Sequence, residues 1–292
     1  MRIAVVGQPG AWSSERLAEA LRRAGADAPV VDLAACGVRL PEPVVYHAGR
    51  PLAVDAAVVK KIGDTAGGWA VRERLNVLRH LEAGGVPVWS APDRIEAAVD
   101  RARMTVELVR AGVSVPETVI TESVGEAVAA VERFGNAVLK PLFTSKGRGM
   151  RRLDPSLDLA GLFARHAREI PGPFYLQRFV KHPGRDLGVA VLDGECVGAY
   201  WRVAGRDQWM TTILAGGRYE RAEAPAESIE LALRAAAHFG LLFTGVDLIE
   251  SDEGYQVLEV SAFGGFRGLL DGCGLDVAPL VAAAVLRRIA RR

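Results

Sequence analysis

The chain is short of the residues on which several kinds of protein depend. Its 292 residues include only three cysteines, Cys36, Cys196 and Cys273. They are odd in number and widely spaced, which excludes a disulfide framework and paired-thiol metal sites and leaves inert thiols in a reducing compartment. The five histidines (47, 80, 166, 182, 238) stand singly, which gives no support to a histidine metal site or a Ser-His triad. No apolar run is long enough to span a bilayer, and the opening "MRIAVVG" lacks the plan of a signal peptide. A cytoplasmic protein is therefore expected, with no membrane partner. The formal charge is +1, with no basic arm or stripe, so nucleic acid is not expected as a partner either. What remains is a half-hydrophobic chain able to bury a real core in two or three domains.

Lysine is also scarce. There are five, at 60, 61, 140, 146 and 181, so 31 of the 36 basic residues are arginine. Two of the five fall in the single stretch "VLKPLFTSKGRGM" (138–150). A compact ammonium kept where arginine is the rule suits phosphate.

The first ninety residues alternate strand and helix patterns. "RIAVVG", "APVVDL", "AAVVKKIG" and "VPVW" read as strands. "SSERLAEALRRAG", capped by Ser13 or Ser14, and "AVRERLNVLRHLEAGG" read as helices, joined by a Pro-rich connection after the second strand. Strands separated by helices imply a doubly wound parallel sheet. Gly7, Gly10 and Asp32 hint at a dinucleotide turn, but the third glycine is missing and Trp12 crowds the helix start. "SAPDRIEAAVDRARMTVELVRAGVSVP" reads as one long amphipathic helix, followed by "ETVIT" as strand, "SVGEAVAAVERFG" as helix and "AVLKPLF" as strand. Beyond it the pattern turns antiparallel, with Asp193-Gly194 as a strong hairpin signal, then one helix before a late hairpin and another at the end. The expected organisation is an N-terminal α/β domain (1–92), a central α+β unit (93–174) and a sheet-rich unit (175–292).

The late hairpin, "FTGVDLIESDEGYQVLEVSAFGG" (243–265), carries the clearest chemistry. Its two strands each hold one acid among branched aliphatics. A three-residue Asp-Glu-Gly loop, pairing Ser251 with Tyr255, would set Asp247 opposite Glu259, with Ser261 on the same face and Val246, Leu248, Leu258 and Val260 on the core face. Opposed carboxylates repel unless a cation lies between them or one takes a proton. Hard divalent ions prefer such ligands; a solvated acidic face is the other reading. In 138–150, Lys140 ends a strand before a loop of small and glycine residues that carries Lys146, Gly147 and Arg148. Backbone N–H groups there can approach anionic oxygens, although the Walker pattern is absent; a glycine-rich hairpin tip fits equally. "FYLQRFV" (174–180) offers an apolar strand-to-loop passage that suits a nucleobase. Asp186 beyond it suits a ribose hydroxyl or a turn.

Taken together and in order, these segments resemble the ATP-grasp carboxylate–amine ligases, and among them the RimK-like α-L-glutamate ligases, with tetrahydromethanopterin glutamate ligases as one possible kind. The likeness covers nearly the whole chain, "KKIGD" and "LRHLEAGGVPVWSAPDRIEAAVDRARM" included. It implies an ATP-grasp fold behind an N-terminal pre-ATP-grasp domain. It also implies an ADP-forming ligase joining an amino acid, glutamate by analogy, to a small carboxylate acceptor through an acyl phosphate. The cofactors implied are ATP and magnesium, or manganese in its place. Lys140, catalytic as well as nucleotide-binding, contacts the α- and β-phosphates, and Arg202, also catalytic, lies near the transferred phosphate and the acyl substrate. Arg101, Lys146, Gly147, Gln177, Arg178, Phe179, Val180 and Asp186 hold the nucleotide. Asp247, Glu259 and Ser261 hold the metal, while Lys61, Arg206 and Arg267 are candidates for substrate. Dimers or tetramers are usual for such ligases. Departures accompany the likeness. Arg101 stands where relatives carry lysine, and Ser261 where they carry asparagine. Met210 and Thr212 replace a basic residue and an asparagine, and "SAFGGFRG" lacks the usual proline. A nucleotide-binding protein that has lost catalysis fits those departures as the alternative.

Overall fold

The computed structural model describes residues 1–41, 44–63, 68–170 and 172–291. Asp64, the last residue of the "KKIGD" segment, lies outside them. The chain opens with β1 (Ile3–Val6), α1 (Trp12–Arg23), β2 (Val30–Val31), β3 (Cys36–Arg39), β4 (Val44–His47), β5 (Arg50–Pro51), β6 (Ala56–Val59), α2 (Gly68–Ala83) and β7 (Val88–Trp89). Four of these strands form a parallel sheet in the order β2-β1-β6-β7, as the alternation of strand and helix requires. β1 is apolar throughout because both its faces are covered. Ile3 and Val5 enter one core with α1, and Ala4 and Val6 enter another with α2.

Then follow α3 (Pro92–Val99), α4 (Arg101–Arg110), β8 (Thr118–Thr121), α5 (Val124–Phe134), β9 (Ala137–Leu139), β10 (Arg151–Leu153), α6 (Leu159–Glu169) and β11 (Phe174–Arg178). Their four-stranded antiparallel sheet, β10-β9-β11-β8, packs with α5 and α6 around a separate small core. The last part holds β12 (Arg185–Leu192), β13 (Glu195–Val203), β14 (Arg218–Arg221), α7 (Ala226–Phe239), β15 (Phe243–Ser251), β16 (Gly254–Val260), α8 (Arg267–Cys273) and α9 (Ala278–Ala290). Its antiparallel sheet runs β14-β13-β12-β15-β16. Asp193 and Gly194, both at positive φ, form the tight turn expected between β12 and β13. Both larger cores run from the parallel sheet into this one, so the first and last parts pack as a unit.

Several expectations need correction. The long helix is two helices. Asp100 leaves the helical region (φ −78°, ψ 105°) and its carboxylate accepts from the N–H groups of Ala102 and Arg103, so a residue read as mid-helix is the cap of α4. That break puts Arg101 at a helix start. Ser13 and Ser14 lie inside α1 rather than capping it, since Ala11 is the first non-helical residue. The Pro-rich connection contains the antiparallel ribbon β3-β4-β5. Helix α6 was not anticipated, although Asp158 caps it by accepting from Gly161 N–H.

The late hairpin is corrected in detail. Ser251 pairs with Gly254, not Tyr255, leaving a two-residue turn of Asp252 and Glu253. By itself that shift would slide every pair by one and turn the wrong set of side chains inward. A β-bulge beside Leu258 restores the count, and Asp247 lies opposite Glu259 as expected. The bulge also exchanges two neighbours: Val257, not Leu258, is buried in the core, and Leu258 faces the cleft.

Candidate functional site

The carboxyl edge of the parallel sheet, the glycine-rich loop after β9 and the open face of the five-stranded sheet enclose a cleft of about 580 Å³. Lys61, Arg101, Lys140, Lys146, Gly147, Gln177, Arg178, Phe179, Val180, Asp186, Arg202, Asp247, Glu259 and Ser261 all line it. Arg206 and Arg267 do not. Arg206 sits on an exposed turn. Arg267 begins α8 on the surface, its guanidinium 4.3 Å above the Trp12 ring and 4.0 Å from Asp271; those contacts draw it away from the cleft.

The acids do not stand alone. Arg202 on β13 is paired through its backbone with Asp186 on β12, and its guanidinium grips that carboxylate with both Nε and Nη2. The same Nη2 lies 2.8 Å from Asp247 Oδ2. Burial opposes the charge on Arg202, but the two carboxylates outweigh it and hold the guanidinium well above its ordinary pKa. Asp186 thus gives both oxygens to an arginine, so a ribose hydroxyl would have to share or displace that partner. Glu259 has its own counter-ion, Arg101 Nη2 at 3.2 Å. Asp247 is pushed up to about 7, chiefly by burial, with Asp186 and Glu259 adding to the rise and Arg202 opposing it. The two outcomes open to opposed carboxylates, a neighbouring cation and a bound proton, both operate here.

Arg101 ties the strand of acids to the loop of lysines. It is 4% exposed and donates to the carbonyls of Pro141 and Thr144 as well as to Glu259. Lys140 lies just beyond β9, where its N–H still donates to Tyr175 O at 2.9 Å. Its ammonium donates to Gln177 Oε1. Burial, then Arg101, lowers it to about 7, against the opposite pull of Glu259 and Asp247.

Gln177 was expected to hold the nucleotide; its buried side chain orients Lys140. Its amide donates to Thr118 Oγ1 at 3.1 Å and to the Tyr175 hydroxyl at 3.2 Å, and that hydroxyl shares a hydrogen with Thr105 at 2.8 Å. This chain of buried polar groups went unread in the sequence because strand alternation marks Tyr175, and helical spacing Thr105, only as core.

The glycine-rich loop leans on the 209–212 segment. Lys146, Gly147 and Gly149 all have positive φ. A Cβ on Gly147 would lie 3.1 Å from Thr212 Cγ2 and 3.4 Å from Met210 Sδ. Two of the residues that depart from the pattern the resemblance implies, Met210 and Thr212, are thus the loop's packing partners. Past β11, the Phe179 ring meets His182, Trp209 and the Arg152 guanidinium at 5.9, 6.1 and 4.1 Å, forming an aromatic end to the cleft.

The donor set suits a hard cation in part. Asp247 and Glu259 present carboxylate oxygens from adjacent strands, and Ser261 Oγ lies beyond them, donating to Phe263 O at 3.2 Å. Among the described residues no group of three or more His, Cys, Asp or Glu side chains could hold a metal. These residues fit an ion that brings further oxygen ligands with it, as a nucleotide-bound one does.

Comparison with known proteins agrees with this picture. The profile of the RimK pre-ATP-grasp domain matches residues 1–95, and that of the RimK-like ATP-grasp domain residues 98–285. The tetrahydromethanopterin:alpha-L-glutamate ligase of Methanosarcina acetivorans is 30% identical, over 94% of this chain and 95% of its own. That of Methanocaldococcus jannaschii is 34% identical over 76% and 77%. Among solved structures, the ATP-grasp ligase PsnB, complexed with a phosphomimetic variant of its minimal precursor, Mg and ADP, superposes with a TM-score of 0.76. It covers 98% of both chains at 22% identity, a likeness of fold.

Proposed function

The chain belongs to the RimK-like ATP-grasp family, and from that membership we propose that it is an ATP-dependent ligase that activates a small carboxylate as an acyl phosphate and joins it to the amine of an amino acid. Glutamate is the proposed amino acid, by analogy with the relatives named above. A pterin-type one-carbon carrier or another small carboxylate is the proposed acceptor. The observation that carries the reading is the opposed pair Asp247 and Glu259 facing the same cleft as Lys140.

In the first step an oxygen of the substrate carboxylate attacks the γ-phosphorus of ATP, and the bond to the β,γ-bridging oxygen breaks to release ADP. In the second the amine attacks the acyl carbon. A C–N bond forms, the C–O bond to phosphate breaks, and the amine proton is lost as phosphate departs. The protein's work is positioning and charge neutralisation. Lys140, set by Gln177, offers a compact ammonium to the phosphates. Arg101 and Arg202 supply N–H groups to the oxygens on which charge develops. Asp247 and Glu259, with Ser261, would hold magnesium, which supplies charge neutralisation at the β- and γ-phosphates when bound. The Phe179, Val180 and Trp209 end of the cleft offers the apolar slot for the base, and closure of the 143–149 loop would keep water from the acyl phosphate.

The test is incubation with ATP, magnesium and paired panels of amino acids and carboxylates, reading phosphate release and product mass. ADP and phosphate are expected only when both substrates are present, with a product whose mass is their sum less one water. Nucleotide binding without turnover across the panel would instead identify a binding protein that has lost catalysis.

A further inference from the structure

We propose that the carboxylate substrate carries a second anionic group, a carboxylate or a phosphate ester remote from the reacting carboxyl, and that this group binds in a subsite formed by Gln8 and Lys61 of the parallel sheet together with Lys146 and Arg148 of the glycine-rich loop. The proposal rests on the ligase reading above and specifies its substrate.

Topology comes first. In the order β2-β1-β6-β7 the chain runs outward one way from β1 to β2 and the other way from β6 to β7, so the strand order reverses between β1 and β6. Such a switch point opens a crevice beyond the carboxyl ends of the strands, where open α/β sheets bind ligands. Here those ends are Gln8, after β1, and Lys61, after β6, and both line the cleft. The N–H groups of Lys60 and Lys61 both donate to Val6 O, at 2.8 and 3.1 Å, which fixes this edge rigidly.

The paired lysines then divide their work. Lys60 turns inward: it is buried, its ammonium donates to Gly264 O at 2.7 Å, and it lies 4.5 Å from the Phe266 ring centre. Lys61 turns into the cleft. Burial lowers its pKa, and so do Lys146 and Arg148, whose charges reach it across the opening. The cleft's acids cannot relieve that repulsion, because Asp186 and Asp247 are held by Arg202 and Glu259 by Arg101. Among the described residues, no ion pair is formed by Lys61, Lys146 or Arg148. Like charges gathered without a counter-ion are costly until an anion joins them. Lys146, which the resemblance gives to the nucleotide, borders both ligands on this reading; Gln8 and Lys61 lie on a different element from the proposed nucleotide hinge, 177–180, and the anion assigned to their edge is the substrate's.

The test uses three probes of similar size on protein saturated with magnesium and AMP-PNP: N-acetyl-L-glutamate, N-acetyl-O-phospho-L-serine and N-acetyl-L-glutamine. Calorimetry should show one of the first two binding at least about tenfold more tightly than the singly charged third, the effect of a charge-assisted hydrogen bond. Which of them prevails separates the carboxylate from the phosphate. Lys61→Met should erase that preference, and Lys61→Arg should keep most of it. Either variant should hold the Mg·AMP-PNP affinity within about threefold of the parent, since tenfold would already correspond to a lost charged contact. Equal affinity for all three probes, no saturable binding by either dianion, or an Mg·AMP-PNP affinity that falls in Lys61→Met as far as the dianion affinity would overturn the proposal. The last result would assign Lys61 to the nucleotide phosphates. If the unaltered protein fails to bind Mg·AMP-PNP at all, the ligase reading itself fails and takes this subsite with it.

Discussion

Arg202→Met should destabilise the nucleotide-free protein in a way that depends on pH. The side chain joins Asp186 and Asp247, with exposures of 18% for the arginine and 4% and 19% for the acids. Removing one partner of a buried ion pair costs about 3–5 kcal/mol, because an uncompensated charge is left behind. Methionine keeps most of the volume, so little of the loss comes from a cavity. Asp247 is already pushed up to about 7 and can take a proton when its partner is gone. The loss should therefore be near the upper end at pH 8 and smaller by about 1 kcal/mol or more at pH 6, since one pKa unit is worth about 1.4 kcal/mol. Urea unfolding at both pH values, without nucleotide, measures it. Adding Asp247→Asn should recover part of the loss, with a coupling energy of at least about 1 kcal/mol. A loss below about 1 kcal/mol at pH 8, equal losses at the two pH values, or strict additivity would refute the reasoning, because each contradicts the buried charge that the magnitude assumes.

The same acid sets a slope in the parent protein. Its folded pKa, about 7, lies above its ordinary 3.8, so the folded state retains a proton that the unfolded chain releases. This contribution to stability is full below the ordinary value and is lost as pH rises to about 7; Asp247→Asn should flatten that part of the urea-midpoint profile. Lys140, lowered to about 7 by burial and Arg101, should take up protons when nucleotide phosphates arrive. Binding enthalpies of Mg·AMP-PNP in buffers of different ionisation heat should show more uptake in Asp247→Asn, where no acid releases a proton, and none from this source in Lys140→Met. Gly147→Ala forces an L residue into φ +74° with its Cβ 3.1 Å from Thr212. A left-handed conformation costs about 1–2 kcal/mol, and the folded chain already adopts it at this position, so urea denaturation should show a loss of stability of about that size.

The parallel sheet was legible because alternating apolar strands and amphipathic helices admit few arrangements. The opposed acids were legible because residue period two places them on one face. Two compensating errors lie behind that success, however. The turn is one residue shorter than expected and β16 bulges by one, and no local rule for Asp-Glu-Gly distinguishes the two solutions. Burial of Val257 at the core chooses between them, and burial depends on the whole sheet. The break at Asp100 was hidden because Ile95, Val99, Ala102, Val106 and Val109 keep a helical spacing across it, whereas the structure buries Met104 and Leu108 and exposes Val106 and Val109. Least legible were the arginine partners of the acids. Arg202 meets Asp186 across a hairpin and Asp247 two strands away, pairings fixed by sheet order. Their consequence is that each acid already has an arginine partner, which Asp186 and Asp247 share.

The central claim is that Asp247 and Glu259 share a cation brought by the nucleotide. Manganese, titrated in place of magnesium and followed by electron paramagnetic resonance with and without AMP-PNP, tests it directly. The metal alone should bind weakly, and the Mn·AMP-PNP complex should bind with an altered spectrum. Asp247→Asn and Glu259→Gln should each weaken that complex by at least about tenfold, the loss of one charged ligand, while keeping the fold. Unchanged affinity and spectrum in both variants would contradict the account.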